Sequence, residues 1–346
     1  MVVVMMPGVE PEHVEAVVAR VEAVGGQAFV SRGVSRVIIG LIGDVETFAT
    51  LDLAGMPGVA QVTRVSTEYK LVSREHRPER SVVRVRGVPI GPDTVTLIAG
   101  PCAVETPEQT LAAAQMAQAA GATMLRGGAF KPRTSPYAFQ GLGEAGLRIL
   151  ADVRELTGLP IVTEVVSAHE VEMVAEYADM LQIGTRNMQN FALLQAIGET
   201  NVPVLLKRGM NATIQEWLMA AEYVAQRGNL EIVLCERGIR TFETATRNTL
   251  DVSAVPVVQQ LSHLPVIIDP SHSGGRRELV LPLSRAGIVA GADGVIIDVH
   301  PQPETALCDG AQALVAKDLG VLAQSVTDLT AYMGRTPAKR RYRSAG

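Results

Sequence analysis

Four residues of types that bind divalent cations, Cys102, His272, Asp298 and Asp309, stand at wide and irregular spacing in the 346-residue sequence. Thiolate, imidazole and carboxylate together suit Mn²⁺, Fe²⁺, Co²⁺ or Zn²⁺ better than Mg²⁺ or Ca²⁺. No CxxC or HExxH pattern accompanies them. Each therefore also has a plain reading: a small buried thiol, a loop histidine, a strand-end cap and the N-cap of a helix at Gly310. A second set is cationic: Arg126, Lys131, Arg133, Arg186, Lys207 and Arg237. A guanidinium fork grips phosphate or carboxylate through two parallel N–H bonds, and an ammonium adds a compact charge. Six such groups at comparable positions, in a chain of net charge −5, predict an anion-binding cavity. Lys131, Glu164 and His272 are the candidate catalytic residues.

Positioning these groups requires the elements that carry them. From Thr94 onward the sequence repeats strand, loop and helix. The strand candidates are 94–100, 123–130, 160–166, 179–184, 203–209, 231–238, 264–271 and 293–300, near-continuous runs of Val, Ile and Leu. Such runs suit parallel strands buried on both faces. Helical stretches such as 109–120 and 214–226 separate them. Eight units fit an α/β (β/α)₈ TIM barrel, in which the strand C-termini converge on one mouth; a doubly wound open sheet is the alternative. The reactive residues all fall at or just past those C-termini. Residues 1–66 read as a separate α+β unit in ferredoxin-like β-α-β-β-α-β order. Its strands are placed at 2–6, 28–31, 34–40 and 59–65, with helices at 11–24, where Val14, Val17, Val18, Val21 and Val24 share a face, and 44–53. Arg32-Gly33 is the turn between the middle strands. Residues 67–93 are a linker with a hairpin, 94–336 the catalytic barrel, and 337–346 a basic tail expected to be disordered.

The remaining polar and aromatic residues have structural readings. Cys235 is expected in the core, Trp217 as a core anchor, and His13, His76, His169 and His263 at the surface. Asp269 is either a catalytic carboxylate or the group that orients its loop. The glycine-rich SHSGGRR stretch either cradles phosphate through backbone N–H groups or is a flexible loop. Composition excludes broad function classes. Hydrophobic residues make up 47%, enough for a large core, and the acidic balance argues against nucleic acid or an anionic membrane as partner. No apolar run reaches the ~18 residues of a membrane span. Three cysteines are too few for a disulfide framework. The opening MVVVMMPGVEPEH has neither a basic leader nor a small-residue cleavage site, so the expected compartment is the cytoplasm.

The motifs IAGPCAVE (98–105), LRGGAFKPRTSPYAFQGLG (125–143), IGTRNMQN (183–190), LLKRGM (205–210), CERGIRTFE (235–243), TRNTLD (246–251), DPSHSGGRR (269–277) and DVHPQPETALCDG (298–310) resemble type I 3-deoxy-D-arabino-heptulosonate 7-phosphate (DAHP) synthase. The likeness spans the whole barrel, and the N-terminal unit resembles the regulatory domain carried by one branch of that family. It implies a condensation of phosphoenolpyruvate with erythrose 4-phosphate at the entry to aromatic amino-acid biosynthesis. It also implies roles. Arg126, Lys131, Arg186, Lys207 and Arg237 correspond to the phosphoenolpyruvate-binding set, Arg133, Thr134 and Ser135 to contacts with erythrose 4-phosphate, and Cys102, His272, Asp298 and Asp309 to the ligands of a divalent metal. The family usually has glutamate where this chain has Asp298, one methylene shorter. The sibling that makes 3-deoxy-manno-octulosonate 8-phosphate typically has Ala-Asn where this chain has Pro132-Arg133.

The likeness further implies feedback inhibition by tyrosine or phenylalanine through the N-terminal unit, with Phe29 and Ser31 as candidate contacts. A homo-oligomer, a tetramer foremost, is the expected assembly, and a chorismate mutase is a conceivable partner. Cys308 beside Asp309 is a candidate for oxidative bridging to Cys102. Two other function classes stay open on sequence alone: a Schiff-base sugar-phosphate aldolase using Lys207 without metal, and a non-catalytic amino-acid sensor.

Overall fold

The computed structural model describes residues 1–32, 36–63, 68–133 and 135–339. The expected turn at Arg32-Gly33, the first residues of the third strand, the end of the fourth, Thr134 and most of the basic tail lie wholly or partly outside the described residues.

Strand β1 (Val2–Met5), helix α1 (Pro11–Glu22), β2 (Gln27–Arg32), β3 (Val37–Ile42), α2 (Val45–Ala49) and β4 (Val59–Thr63) build the N-terminal unit. Its antiparallel sheet has the order β2-β3-β1-β4, the ferredoxin-like arrangement. Alternation along the strands splits the sheet's two faces. Val3, Met5, Ile39 and Leu41 pack on Val14, Val17, Val21 and Phe48 from the helices, whereas Val2, Val4 and Ile38 join the barrel's core through Tyr69, Leu71 and Val72. Two helix ends differ from expectation. Gly25 adopts φ +80° and the Gly26 N–H returns to the Val21 carbonyl, which stops α1 at Glu22 and turns Val24 outward. α2 ends at Ala49, with the Thr50 hydroxyl donating to the Thr47 carbonyl; Asp52 then takes φ +46° before a short 3-10 turn.

After a hairpin, β5 (Val83–Val85) and β6 (Val88–Ile90), eight parallel strands follow: β7 (Thr94–Gly100), β8 (Met124–Arg126), β9 (Ile161–Val165), β10 (Met180–Ile183), β11 (Val204–Lys207), β12 (Ile232–Glu236), β13 (Val266–Ile268) and β14 (Gly294–Asp298). Each pairs with the next, and β14 pairs with β7 from Gly294 opposite Thr96 to Asp298 opposite Gly100. The sheet is a closed barrel, not an open one. The helices around it are α3 (Pro107–Ala119), α4 (Glu144–Thr157), α5 (Val171–Tyr177), α6 (Phe191–Gly198), α7 (Ile214–Ala225), α8 (Ala254–Leu261), α9 (Pro270–Gly274), α10 (Arg277–Val289) and α11 (Ala316–Tyr332). Among the described residues, none is long and apolar enough to cross a membrane.

The hairpin plugs the barrel's N-terminal end. Val83, Val85, Val88 and Ile90 are buried against Ile98, Met124, Val162, Leu205, Val233, Ile267 and Ile296 from the strands, and the Thr96 hydroxyl donates to the Pro89 carbonyl. Ligands are thereby confined to the opposite end. There β8 is shorter than its sequence run suggests, because a close crossing sets its limit. A Cβ on Gly100 would lie 1.9 Å from the Arg126 carbonyl oxygen, so only glycine lets β7 and β8 approach at their ends. The buried Glu222 carboxylate of α7 accepts from the Leu71 and Val72 N–H groups, fastening the linker to the barrel wall.

His263, expected at the surface, is 2% exposed. Its Nδ1 lies 2.7 Å from the Ser81 hydroxyl and its Nε2 lies 2.9 Å from the Leu71 carbonyl. A neutral ring with its proton on Nε2 satisfies both partners, and burial draws its pKa down to about 4. The unfolded chain therefore binds more protons than the folded one between pH 6.5 and 4. Stability should fall by up to about 3 kcal/mol across that window from this group alone. Denaturant midpoints of the native chain and His263→Gln, compared at pH 7 and pH 4.5, should show a smaller acid loss in the variant. Equal losses would contradict the assignment.

Candidate active site at the barrel mouth

The four candidate ligands come from three strand ends. Cys102 follows β7 after Gly100 and Pro101. His272 sits on α9, the single turn after β13, and Asp298 ends β14. Asp309 lies in the next loop, in the left-handed region at φ +53°. Closure of β14 on β7 brings these ends together. Cys102 Sγ is 3.8 Å from His272 Nε2 and 3.3 Å from Asp309 Oδ2. His272 Nε2 is 3.6 Å from Asp298 Oδ2 and 3.7 Å from Asp309 Oδ2. Metal–ligand bonds of ~2.0–2.3 Å in tetrahedral array place neighbouring donors roughly 3.3–3.8 Å apart. Cys102, His272 and Asp298 offer donor atoms within 4.8 Å of one another, as do Cys102, Cys308 and Asp309, a spacing and chemistry that suit a divalent ion.

Each donor is oriented by a second group. Asp269 caps α9 by accepting from the His272 N–H and also takes the ring's Nδ1 at 2.8 Å, leaving Nε2 to face the other donors. The same carboxylate pairs with Lys207 Nζ at 2.5 Å. Of its two readings, the structure supports the orienting one. Burial opposes a charge on His272, yet the Asp269 and Asp298 carboxylates raise its pKa to about 9. The hydrogen bond to Cys308 and burial raise the Cys102 thiol well above its usual value. A divalent ion would compete with both protons. Cys102 and Cys308 are free thiols, their sulfurs 3.5 Å apart.

Beside the donors opens a cavity of about 320 Å³ lined by Lys131, Arg133, Ser135, Glu164, Arg186, Lys207, Arg237, Arg247 and His272, among others. Lys131 Nζ reaches the Cys102 carbonyl at 2.9 Å and its Sγ at 3.2 Å, which sets it between cavity and donors. Arg133 Nη1 donates to Cys308 Sγ. Arg237 is 6% exposed, and its Nη1 is buried without a hydrogen-bond partner among the described residues, as befits a group awaiting an anion. Glu164 Oε2 accepts from Gln182. A Cβ on Gly184 would lie 1.9 Å from Glu164 Oε1, so glycine makes room for that carboxylate.

Arg126 is placed differently from the other five cations. It does not line the cavity but lies beneath it, its Nη1 donating to the Pro101 carbonyl and pairing with Asp298 Oδ1 at 2.8 Å. The SHSGGRR stretch is not a loose loop throughout: Pro270–Gly274 is helical, closed by Gly275 at φ +69°. Phe29 and Ser31 lie far from this mouth, at a second cavity of about 430 Å³ between the N-terminal sheet and helices α6 and α7. There the Ser31 hydroxyl donates to the Gln226 carbonyl. Cys235 and Trp217 are buried in the core, as expected.

Sequence reasoning missed three residues. Arg247, inside the quoted TRNTLD motif, lines the cavity and pairs with Asp309 at 3.1 Å. Gln182 and Gln312 hold Glu164 and Asp298; neither has a sequence signal, since a buried amide reads as any polar residue.

Fold and site together define a (β/α)₈-barrel enzyme with a cation-lined mouth. Residues 68–335 match the DAHP synthetase I family, and residues 1–67 match the DAHP synthase ferredoxin-like domain. The chain is 50% identical over 334 residues to the phospho-2-dehydro-3-deoxyheptonate aldolase of Thermotoga maritima, covering 96% of this chain and 99% of that one. The crystal structure of phospho-2-dehydro-3-deoxyheptonate aldolase (DAHP synthase) from that organism aligns with a TM-score of 0.77 at 48% identity, over 97% of this chain and 98% of that one. A 2-dehydro-3-deoxyphosphooctonate aldolase of Syntrophotalea carbinolica is 38% identical over 65% of this chain and 86% of its own length. The chain belongs to the DAHP synthetase I family.

Proposed function

We propose that this protein condenses phosphoenolpyruvate with D-erythrose 4-phosphate and water to DAHP and inorganic phosphate, the first step of the shikimate pathway. The observation that carries this reading is the joining of a cation-lined cavity to a four-donor cluster at one barrel mouth. The substrates bring two phosphates and a carboxylate into one space, which demands a surplus of fixed positive charge. Lys131, Arg186, Lys207 and Arg237 surround the phosphoenolpyruvate end in this reading, with Arg126 supporting from below. Arg133 and Ser135 receive the aldose phosphate together with Thr134. Fixing both substrates makes the encounter effectively unimolecular, an effect reaching about 7–11 kcal/mol in well-aligned systems.

Cys102, His272, Asp298 and Asp309 hold the divalent ion, of the Mn²⁺, Fe²⁺, Co²⁺ or Zn²⁺ class, which supplies Lewis-acid polarisation of the aldehyde. Lys131, adjacent to that cluster, hydrogen-bonds the aldose oxygen that gains charge when C3 of phosphoenolpyruvate attacks C1. Glu164, held by Gln182 on the cavity wall, accepts a proton from the water that adds at C2, before phosphate leaves by C–O cleavage. Asp269 keeps His272 in one tautomer and ties up Lys207, which argues against a Schiff-base role for that lysine. Pro132-Arg133 favours the four-carbon aldose over the five-carbon substrate of the octulosonate synthases, because Arg133 places an additional cation where the shorter chain's phosphate ends. Phosphate release should be at least about tenfold faster with erythrose 4-phosphate than with arabinose 5-phosphate, stop on chelation and return on adding Mn²⁺, Co²⁺ or Zn²⁺. Preference for the five-carbon sugar, or full activity after chelation, would overturn the assignment.

The N-terminal unit is the proposed receiver of feedback inhibition by tyrosine or phenylalanine. Support comes from the cavity beside Phe29 and Ser31, where an aromatic face and a hydroxyl stand at a boundary between sheet and barrel. A cytoplasmic homotetramer is the proposed working form, with association with a chorismate mutase compatible with it. A truncated form of the Thermotoga maritima synthase is 50% identical and matches 77% of this chain with a TM-score of 0.73. Removing residues 1–66 should abolish inhibition by either amino acid while sparing turnover. A truncated enzyme as sensitive as the full chain would contradict this role.

A further inference from the structure

Each acid of the donor cluster has its Oδ1 paired with an arginine and its Oδ2 facing His272, and one side chain connects the two acids. Gln312, 2% exposed, sits on the 3-10 turn that follows Asp309. Its Nε2 donates to Asp298 Oδ2 at 2.5 Å. Its Oε1 accepts from Arg247 Nη1 at 3.1 Å, the same nitrogen that pairs with Asp309 Oδ1 at 3.1 Å. Asp298 Oδ1 is meanwhile taken by Arg126, and the Asp298 N–H donates to the Ser271 hydroxyl. Oδ2 of each acid faces His272 Nε2, and on Asp298 it is the same oxygen that accepts from Gln312.

We infer that Gln312, acting directly on Asp298 Oδ2 and through Arg247 on Asp309, is the positioning residue that sets the rotation of the two carboxylates toward the ion. The argument rests on the proposed divalent-ion reading of the site and goes beyond it. Asp298 has a short side chain. A short side chain cannot recover from misrotation by swinging, so its rotamer must be set from outside. Asp309 carries a left-handed backbone that a non-glycine residue holds only when its surroundings over-determine it, and the Arg247 bridge supplies such a restraint. The carboxamide is suited to the task because it is neutral: it donates to one acid and accepts from the cation serving the other, adding no charge to a site that already balances several. A carboxylate or ammonium in its place would disturb one partner or the other.

Outer partners of this kind typically change metal affinity 10–100-fold when removed. The test is cobalt affinity of the full-length chain, by titration against a competing chelator, followed through the thiolate-to-cobalt charge-transfer band. The variants are Gln312→Met, which keeps volume and loses both hydrogen bonds, Arg247→Met, and the pair. Gln312→Met should raise the Co²⁺ dissociation constant at least tenfold, with the melting temperature of the ion-free protein close to that of the native chain. Arg247→Met should raise it less, and the double variant should fall short of the product of the two, because both residues act along one path. A constant within twofold of native in Gln312→Met overturns the inference while leaving the ion site intact. Should Gln312→Met fail to fold, the partly exposed Arg247→Met decides: an unchanged constant there overturns the inference equally. A native chain that binds no cobalt at these residues defeats the underlying reading as well.

Discussion

The pairing of β14 with β7, from Gly294 opposite Thr96 to Asp298 opposite Gly100, closes the sheet, and the placement of every reactive group depends on that seam. Cys102 lies just past one of these strands and Asp298 ends the other, so the register of the seam sets the distance between a thiol and a carboxylate that are 196 positions apart in the chain (298 − 102). A slip of one residue would send alternate side chains to the other face of the sheet and would separate the donors. Glycine at positions 100 and 294 marks how tightly the seam is drawn: a Cβ at Gly294 would lie 2.6 Å from the Thr96 carbonyl oxygen. The hairpin in the N-terminal end secures the same strands from below, which leaves the C-terminal mouth as the place where polar groups are exposed to ligand.

Charge management explains which cations face the cavity. Burying a guanidinium or ammonium is costly unless a carboxylate or hydrogen bonds compensate it. Adjacent residues at the end of β11 illustrate the division. Lys207 lines the cavity and pairs with Asp269, whereas Arg208 turns away to Glu236 and Asp251 at 3.0 and 2.9 Å and stacks 5.9 Å from the Trp217 ring centroid. Asp269 thereby serves Lys207, His272 and the cap of α9 at once, linking the anion pocket to the donor cluster. Burial disfavours the charge on Arg237, and one of its buried nitrogens has no hydrogen-bond partner among the described residues, a cost that a bound anion would offset.

Much of this organisation is legible in the linear chain because it follows from periodicity. Val, Ile and Leu runs mark strands buried on both faces, and the polar residue that interrupts each run marks its C-terminal end, so the barrel, its mouth and most of the cavity wall can be placed. What escapes is whatever depends on a partner distant in sequence. His263 lies in a polar setting along the chain yet is sealed beneath the linker by Ser81 and Leu71. Arg126 belongs to the same strand-end series as Lys207 but is drawn under the cavity floor by Asp298. The SHSGG stretch looks loose in composition, while Asp269 caps it into a helical turn. Gln312 carries no pattern at all, and Arg247 stands in the TRNTLD motif without any sign of its partners, since their role consists of joining two acids that only the closed barrel brings together.

Closure is proposed to gather one sulfur, one nitrogen and two carboxylate donors around a single ion. X-ray absorption of the cobalt- or zinc-loaded protein, in the absence of substrates, measures that coordination directly. The account predicts one sulfur at ~2.3 Å and the remaining donors as nitrogen and oxygen at ~2.0–2.2 Å, with the sulfur contribution lost in Cys102→Ala. A shell made only of nitrogen and oxygen in the native chain, unchanged by that substitution, would contradict it.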